Sequence, residues 1–242
     1  IKIPVPPLDV QERIVEILDK AERLKELREE SIKKSEELKF SVFQMEVIDK
    51  VNKKTPSGWS FKKLEDIAEI IMGQSPPGNT YRNIPDGLPF FQGKAEFGIK
   101  HPKPVKWCID PRRIAISGDI LFSVRAPVGP TNIADQKCCI GRGLAAIRPN
   151  DKVEKQFLIQ FFKNYERKIQ ISTEGQGSVF GSINAKKLKE LMVPIPDKYT
   201  QIKISKILKN SESLIDKKYI SNIDINKLSF SLLQKAFKGE LE

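Results

Sequence analysis

The feature that most constrains this chain is a repeat of itself. Residues 3–47 align onto residues 193–237 without a gap, at a constant offset of 190, and 13 of the 45 aligned positions are identical. Self-similarity at a fixed offset marks a duplicated structural unit. Each copy opens on a Pro-x-Pro segment (Pro4 and Pro6, Pro194 and Pro196). Such a segment cannot be helical, because proline removes a donor and pushes its predecessor toward extended backbone. A long helical pattern follows. In the first copy Ile14, Ile17, Ala21, Leu24, Arg28, Ser31, Ser35, Leu38, Val42 and Met45 step by alternating threes and fours, the heptad spacing of a coiled-coil seam. The second copy repeats the steps at Ile204, Ile207, Ser211, Leu214, Lys218, Ser221, Ile225, Leu228, Leu232 and Lys235. The middle of both seams is polar or small, so packing there should be weaker than at the ends. At ~1.5 Å per residue, about 40 residues make a rod of roughly 60 Å.

Two amphipathic helices of equal length in one chain most simply pack on each other, and the long insert between them favours an antiparallel pair. The expected organisation is a first long repeat helix over 1–48, a globular region over 49–196 and a second long repeat helix over 197–242. The fold class is then α+β: a globular mixed α/β domain on a two-helix antiparallel coiled coil. Two unrelated surface helices would leave the gapless repeat unexplained.

The globular region is introduced by Thr55-Pro56-Ser57-Gly58 and closed by Val193-Pro194-Ile195-Pro196. Leu64, Ile67, Ala68 and Ile71 predict a short helix, and the stretch Gly73 to Gly87 is irregular, dense in Pro, Gly and Asn. Apolar runs at Val105–Ile109, Ile120–Val124 and Leu144–Ile147 predict strands, with Gly118-Asp119 a turn before the second. Phe157, Leu158, Phe161 and Phe162 predict a buried helix face, and Asn184 a cap for a last short helix carrying Leu188 and Leu191. Trp59 and Trp107 are expected in the core, and His101 on the surface.

Charge separates the regions. Residues 1–48 hold 9 Lys+Arg against 11 Asp+Glu, residues 49–192 hold 24 against 14, and residues 193–242 hold 9 against 6, so nearly all of the net +11 lies in the middle. Lys and Arg gain affinity for nucleic acid by displacing counterions from phosphates, although a merely basic soluble surface would carry the same excess. With 39% hydrophobic and 30% charged residues the chain has the composition of a soluble globular protein. No apolar run approaches the roughly 20 residues of a membrane span, and Ile1-Lys2-Ile3-Pro4 has no signal-peptide core. The missing initiator Met suggests a fragment or a trimmed chain. Cys108, Cys138 and Cys139 form no CxxC pair, and with one histidine, His101, neither a structural zinc site nor any other metal or cofactor is expected. A reducing cytoplasm is the simplest setting.

One ordered set of residues carries a resemblance. It runs from Gly58-Trp59 with Leu64 through Gly73-Gln74-Ser75-Pro76, Gly118-Asp119-Ile120-Leu121 and Val124-Arg125-Ala126-Pro127-Val128-Gly129. It ends on Ile183 and Val193-Pro194-Ile195-Pro196 ahead of Gln201-Ile202-Lys203-Ile204. The set resembles a target-recognition domain of type I restriction-modification specificity subunits, and the match spans essentially the whole chain. This chain departs by holding one recognition domain where a full subunit has two, so the order helix, domain, helix is similar to a carboxy-terminal half. The resemblance implies a subunit without catalytic chemistry, which reads one part of a split double-stranded DNA target. It also implies that the helices set the gap and dock methyltransferase (modification) subunits that modify adenine using S-adenosylmethionine, and through them restriction subunits. A half subunit could dimerise to replace the missing half.

The residues themselves nominate contacts. Direct readout needs paired donors and acceptors, Arg or Lys for guanine and Asn or Gln for adenine. Gln74, Arg82, Gln92, Lys94, Arg125 and Gln176 sit in turn-rich stretches, with Ser75, Gly177 and Ser178 beside them. Each taken singly reads first as a phosphate contact or a solvated side chain, since half or more of protein–DNA hydrogen bonds go to the backbone. Lys100, Lys103, Lys106, Arg112 and Arg113 cluster tightly enough for phosphate contacts, with a solvated face as the alternative. Ser75-Pro76-Pro77-Gly78 faintly resembles the Asn/Asp-Pro-Pro-aromatic loop of amino-methyltransferases but lacks the aromatic. Gly175 to Gly181 is Gly-rich without the dinucleotide-binding spacing. Glu65-Asp66 begins a helix, where the dipole favours negative charge, and no acid-base pair can be nominated. The rival function is a structural or interaction protein, with a coiled coil for assembly and a basic domain for RNA or an acidic partner.

Overall fold

The computed structural model describes residues 5–173, 181–238 and 240. They fall into two compact units, residues 1–41 with 207–242, and residues 42–206. Along the chain, helix α1 (Leu8–Phe43) passes through one wider turn at Gln44–Ile48 into α2 (Asp49–Lys53). Then come β1 (Ser60–Lys63), α3 (Leu64–Ile67), β2 (Ala68–Met72), β3 (Tyr81–Arg82), β4 (Leu88–Phe91), β5 (Trp107–Cys108) and β6 (Ile114–Ala115). β7 (Ile120–Ser123), β8 (Thr131–Ile133), β9 (Cys138–Ile140), β10 (Leu144–Pro149), α4 (Lys155–Thr173), α5 (Ala185–Lys189), β11 (Met192–Ile195) and α6 (Lys198–Lys238) complete the set.

The two-helix unit is antiparallel. Lys218 Nζ donates to Ser31 Oγ at 2.8 Å and to Ser35 Oγ at 2.7 Å, the Tyr219 hydroxyl donates to Glu36 at 3.0 Å, and Lys39 lies 3.9 Å from Glu212. Partner numbers fall as residue numbers rise, so with the offset of 190 an approximate two-fold axis passes near Ser31 and Ser221. The heptads run in a different phase from the expected one. The expected and observed seams share Ile14, Ala21, Arg28 and Ser35 in the first helix and Ser211, Lys218 and Ile225 in the second, but take alternate positions between them. Ile32, Lys39, Ile215 and Ile225 are buried, while Leu24 and Leu38 are 45% and 63% exposed and their equivalents Leu214 and Leu228 are 59% and 53% exposed. Of the leucines that the two copies hold in common, Leu24/Leu214 and Leu38/Leu228 therefore lie off the seam, whereas Leu208 is fully buried and Leu18 half-buried. Lysine explains part of this, because its stem covers apolar surface while its ammonium reaches across to Ser or Glu.

One repeat identity has a local cause. Gln11 Nε2 donates to the Pro6 carbonyl at 2.7 Å, and Gln201 Nε2 donates to the Pro196 carbonyl at 2.9 Å. In each copy a glutamine side chain ties the start of the helix to the proline segment before it.

The globular unit is built on three sheets. β1 and β11 pair antiparallel, β2-β10-β7-β8 form an antiparallel sheet, and β3-β5-β4-β9-β6 form a mixed sheet in which only β4 and β9 run parallel. Phe91, Ala115, Leu121, Cys138, Ile140 and Leu144 form the core between the larger sheets. Phe122 stacks at 5.1 Å on Phe162 of α4. Asn184 caps α5 by accepting from the Lys187 N–H at 2.9 Å, as expected. Other expectations are corrected. Residues Leu64 to Ile71 do not make one helix: α3 ends at Ile67, and β-branched Ile70 and Ile71 continue as β2 against β10. The strand expected over Val105–Ile109 shortens to Trp107–Cys108, with one further bond to β4 from the Phe90 N–H to the Lys106 carbonyl at 2.8 Å, and Val105 and Ile109 at its ends stay exposed. Trp59 and Trp107 are half-buried, and so is His101, whose Nδ1 lies 2.9 Å from the Ile133 carbonyl oxygen.

Candidate nucleic-acid interface

A Gly-Arg-Gly turn, Gly141-Arg142-Gly143, links β9 to β10, and three other segments close on it. The Gly141 N–H donates to the Phe91 carbonyl at 2.8 Å, the Gly73 N–H to Leu144 at 2.9 Å, the Gln74 N–H to Ile140 at 3.0 Å, and the Val124 N–H to Gly143 at 2.9 Å. The ends of β2, β4 and β7 thus meet at one turn. Glycine is required by the closeness of these backbones. A Cβ on Gly143 would sit 2.2 Å from the Gln92 carbonyl oxygen, and one on Gly73 would sit 2.1 Å from that of Gly141.

Next to this turn, the hairpin from Ser123 to Pro130 presents Arg125. Buried Ser123 shapes it, its hydroxyl lying 3.1 Å from the Arg125 carbonyl oxygen and 2.9 Å from that of Pro127. The Ala126 N–H donates to Gly181 at 3.2 Å and the Ile183 N–H to Val124 at 2.9 Å, so the chain leaving residue 180 is bonded beside Arg125.

The convergence makes a concavity of about 250 Å³ lined by Ser75, Gln92, Lys94, Ser123, Arg125 and Arg142 together with glycine and alanine backbone. No carboxylate lines it, and among the described residues neither Arg125 nor Arg142 is in an ion pair. Behind the lining, Glu96 accepts from the Gly93 N–H at 3.1 Å, and the Glu166 carboxyl is pushed up by burial while the charges of Lys94 and Lys163 pull it down. The site has the chemistry to receive a phosphate or the edge of a base: guanidinium forks, one amide and a hydroxyl.

Four of the residues nominated from sequence, Ser75, Gln92, Lys94 and Arg125, come together here, and exposed Gln74 is bonded into the same turn. Arg82 is elsewhere, donating to the Asn79 and Tyr81 carbonyls and lying 3.5 Å from Asp86. Lys100, Lys103 and Lys106 are exposed on the segment that follows the site and do not line it. Arg112 is paired with Asp110 at 3.2 Å. Gln176, Gly177 and Ser178 lie outside the described residues. Sequence reasoning missed Arg142, for which the flanking glycines were the available signal.

A larger concavity of about 380 Å³ is lined by Asp119, Arg148, Glu154, Lys155 and Lys198 among others. Its charges cancel: Arg148 grips buried Asp119 through two bonds of 2.9 Å, and Lys198 lies 2.8 Å from Glu154. It holds the Gly118-Asp119 turn, with the Ile116 N–H donating to Asp119 at 2.9 Å. The thiols are buried, and burial pushes Cys138 up to about 12 and Cys139 up to about 11, away from nucleophilic use near neutrality. Among the described residues no group of His, Cys, Asp and Glu could hold a metal, and no helix is long and apolar enough to cross a membrane.

The profile of the type I restriction modification DNA specificity domain matches residues 56–224, which takes in the whole of this site. The chain belongs to that family. As a specificity-domain protein it is 36% identical over its full length to the type I restriction enzyme MjaX specificity subunit of Methanocaldococcus jannaschii, covering 59% of that protein. It is 29% identical over 76% of its length to the MjaIX specificity subunit of the same organism, covering 45% of it. Among solved structures, the HsdS subunit from Thermoanaerobacter tengcongensis superposes with a TM-score of 0.66 at 36% identity, over 99% of this chain and 60% of that one. A chain from a structure described as the basis of complex assembly and conformational transition of the type I R-M system superposes with a TM-score of 0.70 at 37% identity, over 99% and 62%. The chain thus spans about three fifths of the length of such relatives.

Proposed function

We propose that this protein is a non-catalytic, sequence-specific DNA reader that recognises one part of a bipartite target for a type I restriction-modification enzyme. The observation that carries the reading is the carboxylate-free concavity of Gln92, Lys94, Arg125 and Arg142 in a chain of this family. Base readers among the nominated residues would be Gln74, Gln92, Arg125 and Gln176. Ser75, Lys94, Lys100, Lys103, Lys106, Gly177 and Ser178 would hold the phosphate backbone, and Arg82 serves its own loop first. This division follows from side-chain chemistry: forks and amides specify, whereas ammonium groups and backbone N–H groups position.

The two-helix unit, residues 1–48 and 197–242 in its sequence limits, would be spacer and scaffold. Modification subunits, and restriction subunits through them, would dock on its exposed leucines; a relative's structure is described in terms of complex assembly. A second copy of the chain would supply a second recognition unit, and the protein would act in the cytoplasm. Fluorescence anisotropy on duplexes across a salt series tests the reading. Affinity should fall steeply with salt, and selection from a randomised duplex pool should return a defined sequence. Salt-independent binding, or equal preference for RNA, would favour the scaffold alternative, and sedimentation of the chain would decide the dimer.

A further inference from the structure

Resting on that reading, we infer that Arg142 is a specificity-determining residue that reads a guanine through its guanidinium fork. Among the arginines of the globular unit, Arg82 has Asp86, Arg112 has Asp110, and Arg148 has Asp119 and Glu69 as carboxylate partners. Arg142 has no such partner among the described residues, nor do Arg113 and Arg125, and of these three Arg142 and Arg125 line the same concavity as Gln92.

Its backbone is held more tightly than a phosphate contact needs. The Arg142 N–H lies 3.4 Å from Ser75 Oγ, and both flanking glycines are pressed on Gln92, with Gly141 also against the ring of Phe90. The turn is bonded to the ends of three strands. A phosphate tolerates a swinging cation, whereas bidentate donation to guanine O6 and N7 requires a side chain launched from a fixed position. The neighbouring Gln92 amide carries a donor and an acceptor, as the adjacent base pair would need. The other cations of the concavity, Lys94 and Arg125, are near enough to bring a phosphate or a second base to the same place.

The test compares Arg142→Ala and Arg142→Lys with the parent in the full 242-residue chain. Duplexes are selected from a randomised pool, and affinity is then measured for the parent's selected duplex and for a random-sequence duplex across a salt series. Arg142→Ala should lose about 10- to 100-fold on the selected duplex and little on the random one, and its own selected site should become degenerate at one G·C pair. Arg142→Lys, which keeps the charge but not the fork, should lose discrimination at that same pair. Far-UV circular dichroism of both variants checks that the fold is retained. Equal losses on both duplexes, with the salt slope reduced by about one, would overturn the inference by making Arg142 a phosphate contact. An unchanged selected site would overturn it as well. If the parent itself selects no sequence, the DNA-reading proposal fails and takes this inference with it, an outcome distinguished by the parent's behaviour alone.

Discussion

Leu214 in the two-helix unit is more than half exposed, while Leu121 in the globular unit is completely buried, though both lie in regular elements. The contrast is general. In the globular unit the apolar residues of β7 and β10 are buried on both faces, between sheets and under α4. In the two-helix unit a thin seam of Ile32, Ile215 and Ile225 is supplemented by Lys218 on Ser31 and Ser35 and by Lys39 toward Glu212. Many leucines and isoleucines are left outside. The globular unit finds its core within itself, whereas the helices keep apolar surface in reserve. Outward leucines repeated at Leu24/Leu214 and Leu38/Leu228 are what a partner common to both helices would grip.

The largest expected effect would break the globular side of the comparison. Phe122→Ala removes a fully buried ring from against Phe162 and should cost about 3 to 5 kcal/mol. Urea unfolding followed by tryptophan fluorescence measures it, since Trp59 and Trp107 both lie in that unit. A loss below about 1 kcal/mol would mean that this core is not closed as described.

The next separates the two heptad phases. Ile215→Ala should destabilise the helix pair by about 2 to 4 kcal/mol, whereas neighbouring Leu214→Ala should cost under about 0.5 kcal/mol in the isolated protein. Thermal unfolding followed in the far-UV compares them. The reverse order would restore the phase read from the repeat-common leucines. A Leu214→Ala variant that is stable yet fails to co-purify with modification subunits would sharpen the assignment of the outer leucines to docking.

Smaller effects should be confined to DNA. Arg125→Ala or Gln92→Ala should cost roughly 1 to 3 kcal/mol on the cognate duplex and much less on random DNA, with assembly retained. Equal losses on both duplexes would move these residues to the phosphate backbone, and lost assembly would mean that reading and scaffolding are not separable. The smallest stability change is expected at Lys218→Met. Replacing a half-buried polar cross-link by an apolar side chain should alter stability by no more than about 1 kcal/mol, while relaxing the register set by Ser31 and Ser35. Cysteine cross-linking between the helices reads that register, and a single unchanged pairing in Lys218→Met would deny the polar contacts this role.

What could be read without coordinates was local or periodic. The duplication, the long helices, the excess of positive charge in the middle, the cap at Asn184 and the strands at Ile120 and Leu144 all depend on residues close in sequence. Neighbours within a few positions decide such features. The resemblance could also be seen, because its motifs are short segments in a set order.

Only the tertiary structure chose between the two heptad phases, since both have the same three-and-four spacing. The choice was made by what turns inward across the pair: Ile32, Ile215 and Lys39, the last toward Glu212, are buried, while Leu24, Leu38, Leu214 and Leu228 are left exposed. The site is likewise a matter of packing. Ser75, Gln92, Arg125 and Arg142 are far apart along the chain and share one concavity because three strands end at a turn whose glycines allow backbones to touch. Arg142 and Arg148 are six residues apart and equivalent as letters. One has no carboxylate partner among the described residues and the other is held by Asp119, because β7 pairing on β10 brings that carboxylate beside Arg148. A side chain's charge belongs to its sequence, whereas the partner that satisfies or frees that charge is supplied by distant residues through the fold.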